Sequence, residues 1–210
     1  MPKDGSTNRA RILDAAEQLV IDHGYAATSV DRVLEAAGTS KGAFFHHFDS
    51  KLALARALTE RYVAADLDQL NAGLDATADV ADPAERVIAF LRYYEDRGDE
   101  IMGAQSNCLY VAVLTERQLL DAGTADLVRG AVQAWRAEIA RLLSAAADGR
   151  ATDLGDVEDL ADHVFTTFEG AFLLCRATGS PQHMRAQLGV LRRLVGAALG
   201  VDDRDAARST

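Results

Sequence analysis

Residues 28–58 constrain the fold of this chain most, because two short helical patterns are separated there by a single glycine. Thr28 and Asp31 form a Ser/Thr-x-x-Asp/Glu start, which predicts that the Thr28 hydroxyl caps the first of the two helices. Gly38 follows the apolar spacing of that helix and can turn the chain without a Cβ clash. Ser40 is a good N-cap for the second helix. The segment therefore predicts a helix-turn-helix whose second helix presents its N-terminus.

Apolar residues recur at helical spacing along most of the chain, and no segment shows a strand pattern. Asp82-Pro83 and Ser180-Pro181 each place an N-cap residue before a proline, which marks two helix starts. Glycines at positions 149, 179 and 200 follow three predicted helix ends. The pattern predicts an all-α fold of about nine helices. They span residues 8–23, 29–36, 40–46, 50–76, 83–97, 105–117, 124–147, 156–178 and 181–199.

We predict two domains and a tail. Residues 1–49 form a three-helix helix-turn-helix domain, residues 50–200 form a larger helical domain, and residues 201–210 form a disordered tail. The helix that starts at Ser50 runs from the first domain into the second without a Gly/Ser linker. Such a helix transmits a tilt, whereas a flexible linker would uncouple the two domains.

Charge and composition limit the cellular setting and the partners. The 210 residues carry a net charge of −10, yet residues 1–61 hold eight Lys/Arg against eight Asp/Glu, so the acidity lies downstream. A neutral N-terminal domain with local cations can still hold phosphates. No apolar run approaches the ~20 residues of a membrane span, the N-terminus lacks a signal-peptide pattern, and two cysteines are too few for a disulfide framework. We therefore expect a cytoplasmic protein.

Residues 36–54, AAGTSKGAFFHHFDSKLAL, resemble the DNA-binding signature of the TetR family of transcriptional regulators. Residues 11–16 and 23–25 are similar to the family's first helix and its exit. Residues 107–116, NCLYVAVLTE, and 168–176, FEGAFLLCR, resemble the ligand-binding halves of one branch of the family. The resemblance implies a DNA-binding N-terminal domain and a ligand-binding and dimerisation domain after it.

The resemblance and the helix geometry together imply the DNA contacts. Lys41 and Gly42 stand at the tip of the second helix and are expected to face base edges, although Lys41 could instead hold a phosphate. Phe45 stands where family members often carry a tyrosine that can bind phosphate, so His46 or His47 would carry more of that contact. The predicted DNA-binding residues are Thr28, Thr39, Ser40, Lys41, Gly42, Phe45, His46, His47 and Lys51.

Aromatic residues are concentrated in the larger predicted domain, where they could line a small-molecule pocket or simply fill a core. With the family resemblance, the pocket is the preferred interpretation, and its apolar wall predicts a hydrophobic small-molecule effector. The predicted ligand-binding residues are Tyr93, Tyr94, Met102, Cys108, Tyr110, Trp135, Phe165 and Phe168.

The last two predicted helices carry apolar stripes that one monomer can hardly bury together. The family resemblance implies a four-helix homodimer interface there, although part of one stripe could pack on its own core. The predicted interface residues are Val157, Leu160, Val164, Ala171, Cys175, Leu188, Leu191 and Val195.

These patterns predict a ligand-responsive, DNA-binding repressor that recognises a palindromic double-stranded operator. Two alternatives stay open: a redox or electrophile sensor that acts through Cys108, and a helical ligand-binding protein or enzyme without operator binding. Asp159 and His163 share a helix face but lack a nucleophile or a second histidine at ligand spacing. We therefore expect no catalytic residues, no metal and no cofactor.

Overall fold

The computed structural model describes residues 3–104, 123–148, 150 and 154–201, and all the regular elements in these ranges are helices. They are α1 Lys3–His23, α2 Val30–Ala37, α3 Lys41–His47, α4 Lys51–Ala76, α5 Pro83–Asp96, α6 Gly98–Ala104, α7 Thr124–Asp148, α8 Val157–Thr178 and α9 Gln182–Leu199. The predicted all-α fold is confirmed. The sequence pattern missed α6. The helix predicted over residues 105–117, Gly149 and nearly all of the predicted tail lie outside the described residues.

The described residues divide into two compact units. The head unit holds residues 3–66 and 123–131, and the body unit holds residues 67–104, 132–148, 150 and 154–201. Helices α4 and α7 contribute residues to both units. The domain boundary between residues 49 and 50 stays a prediction.

In the head unit, α1 packs on α2 and α3 around a core that includes Ile12, Val33 and Phe44, which are at most 1% exposed. Gly38 ends α2 with φ of 58°, a conformation that favours glycine, and its N–H donates to the Glu35 carbonyl. Arg61 of α4 forms ion pairs with Asp14 and Glu17 of α1. The turn between α2 and α3 is therefore fixed by a glycine, and α4 is tied to α1.

In the body unit, α9 packs against α5, α6 and α8. Glu95 of α5 and Arg192 of α9 form an ion pair of 2.5 Å whose side chains are only 17% and 10% exposed. A Cβ placed at Gly189 would lie 2.7 Å from the Glu95 Oε1 atom. The absence of a side chain at position 189 thus makes room for the carboxylate between the two helices.

The predicted start of α5 is confirmed. The Asp82 carboxylate accepts hydrogen bonds from the Ala84 and Glu85 amides, and Pro83 is the first helical residue. The Glu85 amide and the Arg150 guanidinium, 2.9 Å from Asp82, lower the pKa of the Asp82 carboxyl. Arg150 also donates to the Leu199 carbonyl at the end of α9.

The cap predicted at Ser180 is wrong. Pro181 is the N-cap position of α9, with helical backbone angles and no side-chain cap hydrogen bond. Gly179 and Gly200 do close α8 and α9 in the left-handed conformation, as the sequence predicts.

Candidate functional site

Helix α3 is a short helix with two faces, one buried in the head unit and one exposed. The Ser40 hydroxyl accepts from the Ala43 amide, 3.2 Å away, and so caps the first turn. Phe44 and Phe48 anchor the helix in the core, with 0% and 3% exposure. The exposed residues of α3 are Lys41, Gly42, Phe45 and His46. The predicted tip residues therefore do lie on a solvent-facing surface.

Gly42 is not required by the fold of the head unit. Its φ is not in the left-handed region, and a Cβ placed there would meet only the Ser40 Oγ atom, at 4.0 Å. Glycine weakens a helix relative to alanine by roughly 0.5–1 kcal/mol. The chain therefore carries an unfavourable residue at the tip of α3 without a reason in its own packing.

A groove of about 450 Å³ runs between α3 and the N-terminal part of α1. Asn8 stands at its wall and accepts a hydrogen bond of 3.1 Å from the predicted site residue Thr39. Arg11 lies in the same wall and donates to the carbonyls of Ala37 and Gly38. The lining residues are Thr7, Asn8, Arg11, Gly42, Ala43, His46 and His47. The sequence analysis found the α3 side of this groove and missed the side contributed by α1.

The last predicted DNA-binding residue, Lys51, is already engaged within the head unit. Its ammonium donates to the Tyr25 carbonyl at 2.7 Å and lies 4.0 Å from the centroid of the Tyr25 ring. The side chain is half-buried at the start of α4. Ser50 caps α4 by accepting from the Ala53 amide at 3.0 Å, as the sequence predicts.

The cap predicted at Thr28 is wrong. Ser29 caps α2 by accepting from the Arg32 amide, and α2 begins one residue later than the sequence pattern indicates. Thr28 is 2% exposed, and its hydroxyl donates to the Gly24 carbonyl at 2.9 Å. The Thr28 hydroxyl is therefore engaged with the preceding turn, and the adjacent Ser29 supplies the cap.

Comparison with known proteins assigns the family. Residues 12–58 match the family described as bacterial regulatory proteins, tetR family, and residues 83–190, just over half of the chain, match the tetracyclin repressor-like C-terminal domain. The chain belongs to the TetR family. It is a DNA-binding transcriptional regulator, which confirms the function implied by residues 36–54. Members of this family bind DNA operators, act as dimers and respond to ligands.

Relatives of this TetR-family chain are similar over different lengths. The transcriptional regulator AcuR of Cereibacter sphaeroides is 28% identical over 187 residues, which cover 87% of this chain and 83% of AcuR. The transcriptional repressor AcnR of Corynebacterium glutamicum is 48% identical over 58 residues, or 25% of this chain and 31% of AcnR. A TetR transcriptional regulator from Chloroflexus aurantiacus has the same fold, with a TM-score of 0.73, 24% identity and coverage of 92% of this chain and 96% of that one.

The body unit brings several predicted ligand-binding aromatics together. The Tyr94 ring lies at the centre, with ring centroids of Tyr93 at 5.1 Å, Trp135 at 5.5 Å and Phe168 at 6.4 Å. Trp135 and Phe168 stack at 6.5 Å, and Phe90, which the sequence analysis left out of the site, joins Tyr94 at 5.1 Å. The aromatic cluster is defined by these five residues.

Tyr94 and Tyr93 of the aromatic cluster already make contacts within the body unit. Tyr94 is 5% exposed, its hydroxyl donates to the Gln69 carbonyl at 2.8 Å, and a side chain at Gly73 would collide with its ring. The Arg97 guanidinium carbon lies 3.8 Å from the Tyr93 ring centroid. Met102 and Phe165 are half-buried, and Cys108 and Tyr110 lie outside the described residues. The Tyr94 hydroxyl is therefore already used by the fold.

Most residues of the predicted dimer interface lie in the core of the body unit itself. Six of them are at most 6% exposed, and Val157 and Leu160 are half-buried. The six are Val164, Ala171, Cys175, Leu188, Leu191 and Val195. The large apolar side chains that α8 and α9 do expose are Leu173, Leu174, Val190 and Leu194, by 65%, 37%, 41% and 60%. Sequence reasoning missed these four because each helix is apolar on more than one face.

Metal-binding clusters and membrane-spanning helices are both absent from the part of the chain that the structure describes. No three His, Cys, Asp or Glu side chains converge there in a way that could hold a metal ion. No helix in the same ranges is both long and apolar enough to cross a membrane.

Proposed function

We propose that this TetR-family regulator is a repressor that binds a palindromic operator through the exposed face of α3. The observation that carries this proposal is the tip of α3, where an exposed lysine precedes a glycine that the fold does not require. In a helix-turn-helix, the N-terminal residues of the second helix contact base edges in the major groove. Lys41 would read bases, and Gly42 would let the backbone approach them. AcnR, named a transcriptional repressor, is 48% identical to this chain over 58 residues, which supports repression.

Phosphate contacts would surround this tip. His46 and His47 flank the groove between α3 and α1, and their side chains can donate to phosphate oxygens. The N-terminus of α4, which Ser50 caps, would add a further phosphate contact, because a helix N-terminus attracts anions. Thr28 is left out of the proposed interface because it is buried.

A homodimer would present two such tips to one operator. On α8, the exposed positions 170, 173, 174 and 177 are Gly, Leu, Leu and Ala, and on α9 the exposed positions 186, 190, 194 and 197 are Ala, Val, Leu and Ala. Each set follows the three- and four-residue spacing of one helix face. A Cβ at Gly170 would meet nothing within 4 Å, so a partner helix could approach closely there. We propose that these two stripes, rather than the buried ones, form the dimer interface.

Release from the operator would follow binding of a largely hydrophobic small molecule in the body unit. The half-buried rings of Tyr93, Trp135 and Phe168 offer an apolar wall. The Tyr94 hydroxyl cannot donate to the ligand while it donates to the Gln69 carbonyl. The protein would exchange between a state that binds the operator and a state that does not. A ligand releases the operator only if it binds the second state more tightly, by ~1–3 kcal/mol for typical coupling. Helix α4, which contributes to both units, would carry the change. We propose that the chain has no enzymatic activity and that it acts in the cytoplasm, where it would meet its operator.

Operator binding can be tested with two lysine variants and duplexes selected by the wild-type protein from a random library. Lys41→Ala should weaken binding to the selected duplex by ~1–3 kcal/mol and barely change binding to random DNA. We propose that Lys51 also contacts a phosphate, as the sequence predicts, so Lys51→Ala should weaken binding to both duplexes and reduce the slope of log K against log salt by about one. Its melting temperature must be checked, because the variant also loses the contact with Tyr25. Equal losses on both duplexes for Lys41→Ala would refute base reading by this residue.

A further inference from the structure

Phe45 exposes an aromatic ring on the DNA-facing side of α3. It is 46% exposed, and it is the one aromatic residue among the large apolar side chains that the described part of the chain exposes. Phe44 and Phe48, which flank it in sequence, are buried. The core of the head unit is therefore complete without the Phe45 ring. Core packing does not explain why position 45 carries an apolar side chain.

The neighbours of Phe45 hold its ring beside the proposed base-reading tip. Lys41 and Phe45 are four residues apart, so they lie on the same face of the helix, one turn from each other. The Phe44 ring meets the Phe45 ring edge to face, with centroids 5.2 Å apart and planes at 81°. Gly42 leaves open space on the same exposed surface. An apolar group thus stands next to a cation and a gap on one short helix face.

The chemistry of the ring selects its partner in the major groove. A phenyl ring has no hydroxyl or N–H, so it cannot bind a phosphate oxygen or a polar base edge. Thymine alone presents a methyl group in the major groove of unmodified DNA, and apolar side chains such as phenylalanine contact it. The position of the ring agrees with this contact, because Phe45 lies one helical turn from Lys41, at the tip of α3 that would enter the major groove.

We propose that Phe45 determines operator specificity by contacting the C5-methyl group of one thymine in each half-site. The proposal rests on the proposed function, because it assumes that the exposed face of α3 enters the major groove. It adds a base-reading role that a phosphate contact at this position would not have. Loss of one buried methyl group corresponds to roughly fourfold in affinity per half-site, or roughly 15-fold for a symmetric duplex.

Uracil substitution tests the contact directly, since uracil lacks only the methyl group. The full-length protein is titrated with a duplex that it selected from a random library, and each thymine of the half-site is replaced in turn by uracil. For the wild type we expect one position where uracil weakens binding by roughly 15-fold in the symmetric duplex. Phe45→Ala should bind the thymine duplex more weakly and lose sensitivity to uracil at that position, while Phe45→Tyr, which keeps the ring, should retain it.

The outcomes separate this inference from the function on which it depends. Selection of no duplex by the wild-type protein would refute operator binding and the inference with it. Selection of a duplex, with less than a twofold effect of uracil at every thymine, would overturn the thymine contact alone. The same would follow if wild type and Phe45→Ala lost affinity equally at each position. Melting temperatures of the variants serve as the folding control, because the ring is outside the core.

Discussion

Replacement of Gly42 by alanine should make the protein more stable and a weaker DNA binder at once. In the structure the added Cβ meets only the Ser40 Oγ atom at 4.0 Å, and the backbone is not in the left-handed region. The variant therefore creates no strain and reduces the entropy of the unfolded chain. Gly→Ala at such a position is worth about 0.4–1 kcal/mol, which corresponds to about 1–4 °C in melting temperature for a chain of this size.

The same methyl group would occupy the gap that we assign to the approaching base pair. Overfilling a close-packed contact costs about 1–3 kcal/mol, or roughly 5- to 140-fold in affinity. Thermal unfolding followed by circular dichroism measures the first effect, and fluorescence anisotropy with a labelled, selected duplex measures the second. The two effects have opposite signs, so a general folding defect could not produce both.

Gly130 provides a matched control within the chain. It lies inside α7, and a Cβ placed there meets nothing within 4 Å. Gly130→Ala should raise the melting temperature by a similar amount and leave duplex affinity unchanged. Wild-type affinity of Gly42→Ala would refute the assignment of position 42 to close DNA approach, and a lower melting temperature would refute the structural account of the α3 tip.

Three further predictions address the dimer, the start of α5 and the ligand. Leu194→Glu should convert the dimer to monomers in sedimentation experiments without unfolding it, because Leu194 is 60% exposed, whereas Leu52→Glu, a change at another exposed leucine, should leave the dimer intact. Asp82→Asn keeps a capping group but loses the charge that faces Arg150, so it should lower the melting temperature at neutral pH less than Asp82→Ala does. Because the folded-state pKa of Asp82 is lowered, the higher melting temperature of the wild type relative to Asp82→Asn should be fully present above the unfolded-state pKa of about 3.8. This difference should vanish as the pH falls through the folded-state pKa. A hydrophobic ligand that releases the operator should change the fluorescence of Trp135, the single tryptophan, and Trp135→Phe should keep the release and lose the signal; release without a change in wild-type fluorescence would argue against the aromatic cluster as the binding site.

Local signals predicted much of the architecture. The cap at Asp82, the proline after it and the glycine at 38 act over a few residues, so their effects can be deduced from the sequence and were found in the structure. Helix α6 was missed because the helix predicted over residues 83–97 stops before Gly98, and glycine weakens a helix. In the structure Gly98 is buried, and a Cβ there would lie 3.1 Å from the Arg185 amide of α9.

Long-range packing explains what the sequence could not predict about the sites. Helical periodicity identifies apolar faces but does not distinguish a face that packs in its own unit from one left for a partner. Ala171 was assigned to the dimer interface and is 2% exposed in the body unit, whereas Leu173, two residues away, is 65% exposed. Similarly, the residues around Glu95 give no local sign of its pairing with Arg192, 97 residues later, because this pairing depends on the tertiary fold.

The ion pair between Glu95 and Arg192 constrains the residue at position 189 as well, and so limits how related sequences can diverge. Removing either charge breaks a largely buried ion pair, which is far more costly than replacing both residues together. Any side chain at Gly189 would displace the carboxylate as well, because its Cβ would lie 2.7 Å from Oε1. A protein with a single substitution at one of these positions would therefore be less stable, and we expect related sequences to keep all three residues or to change them together.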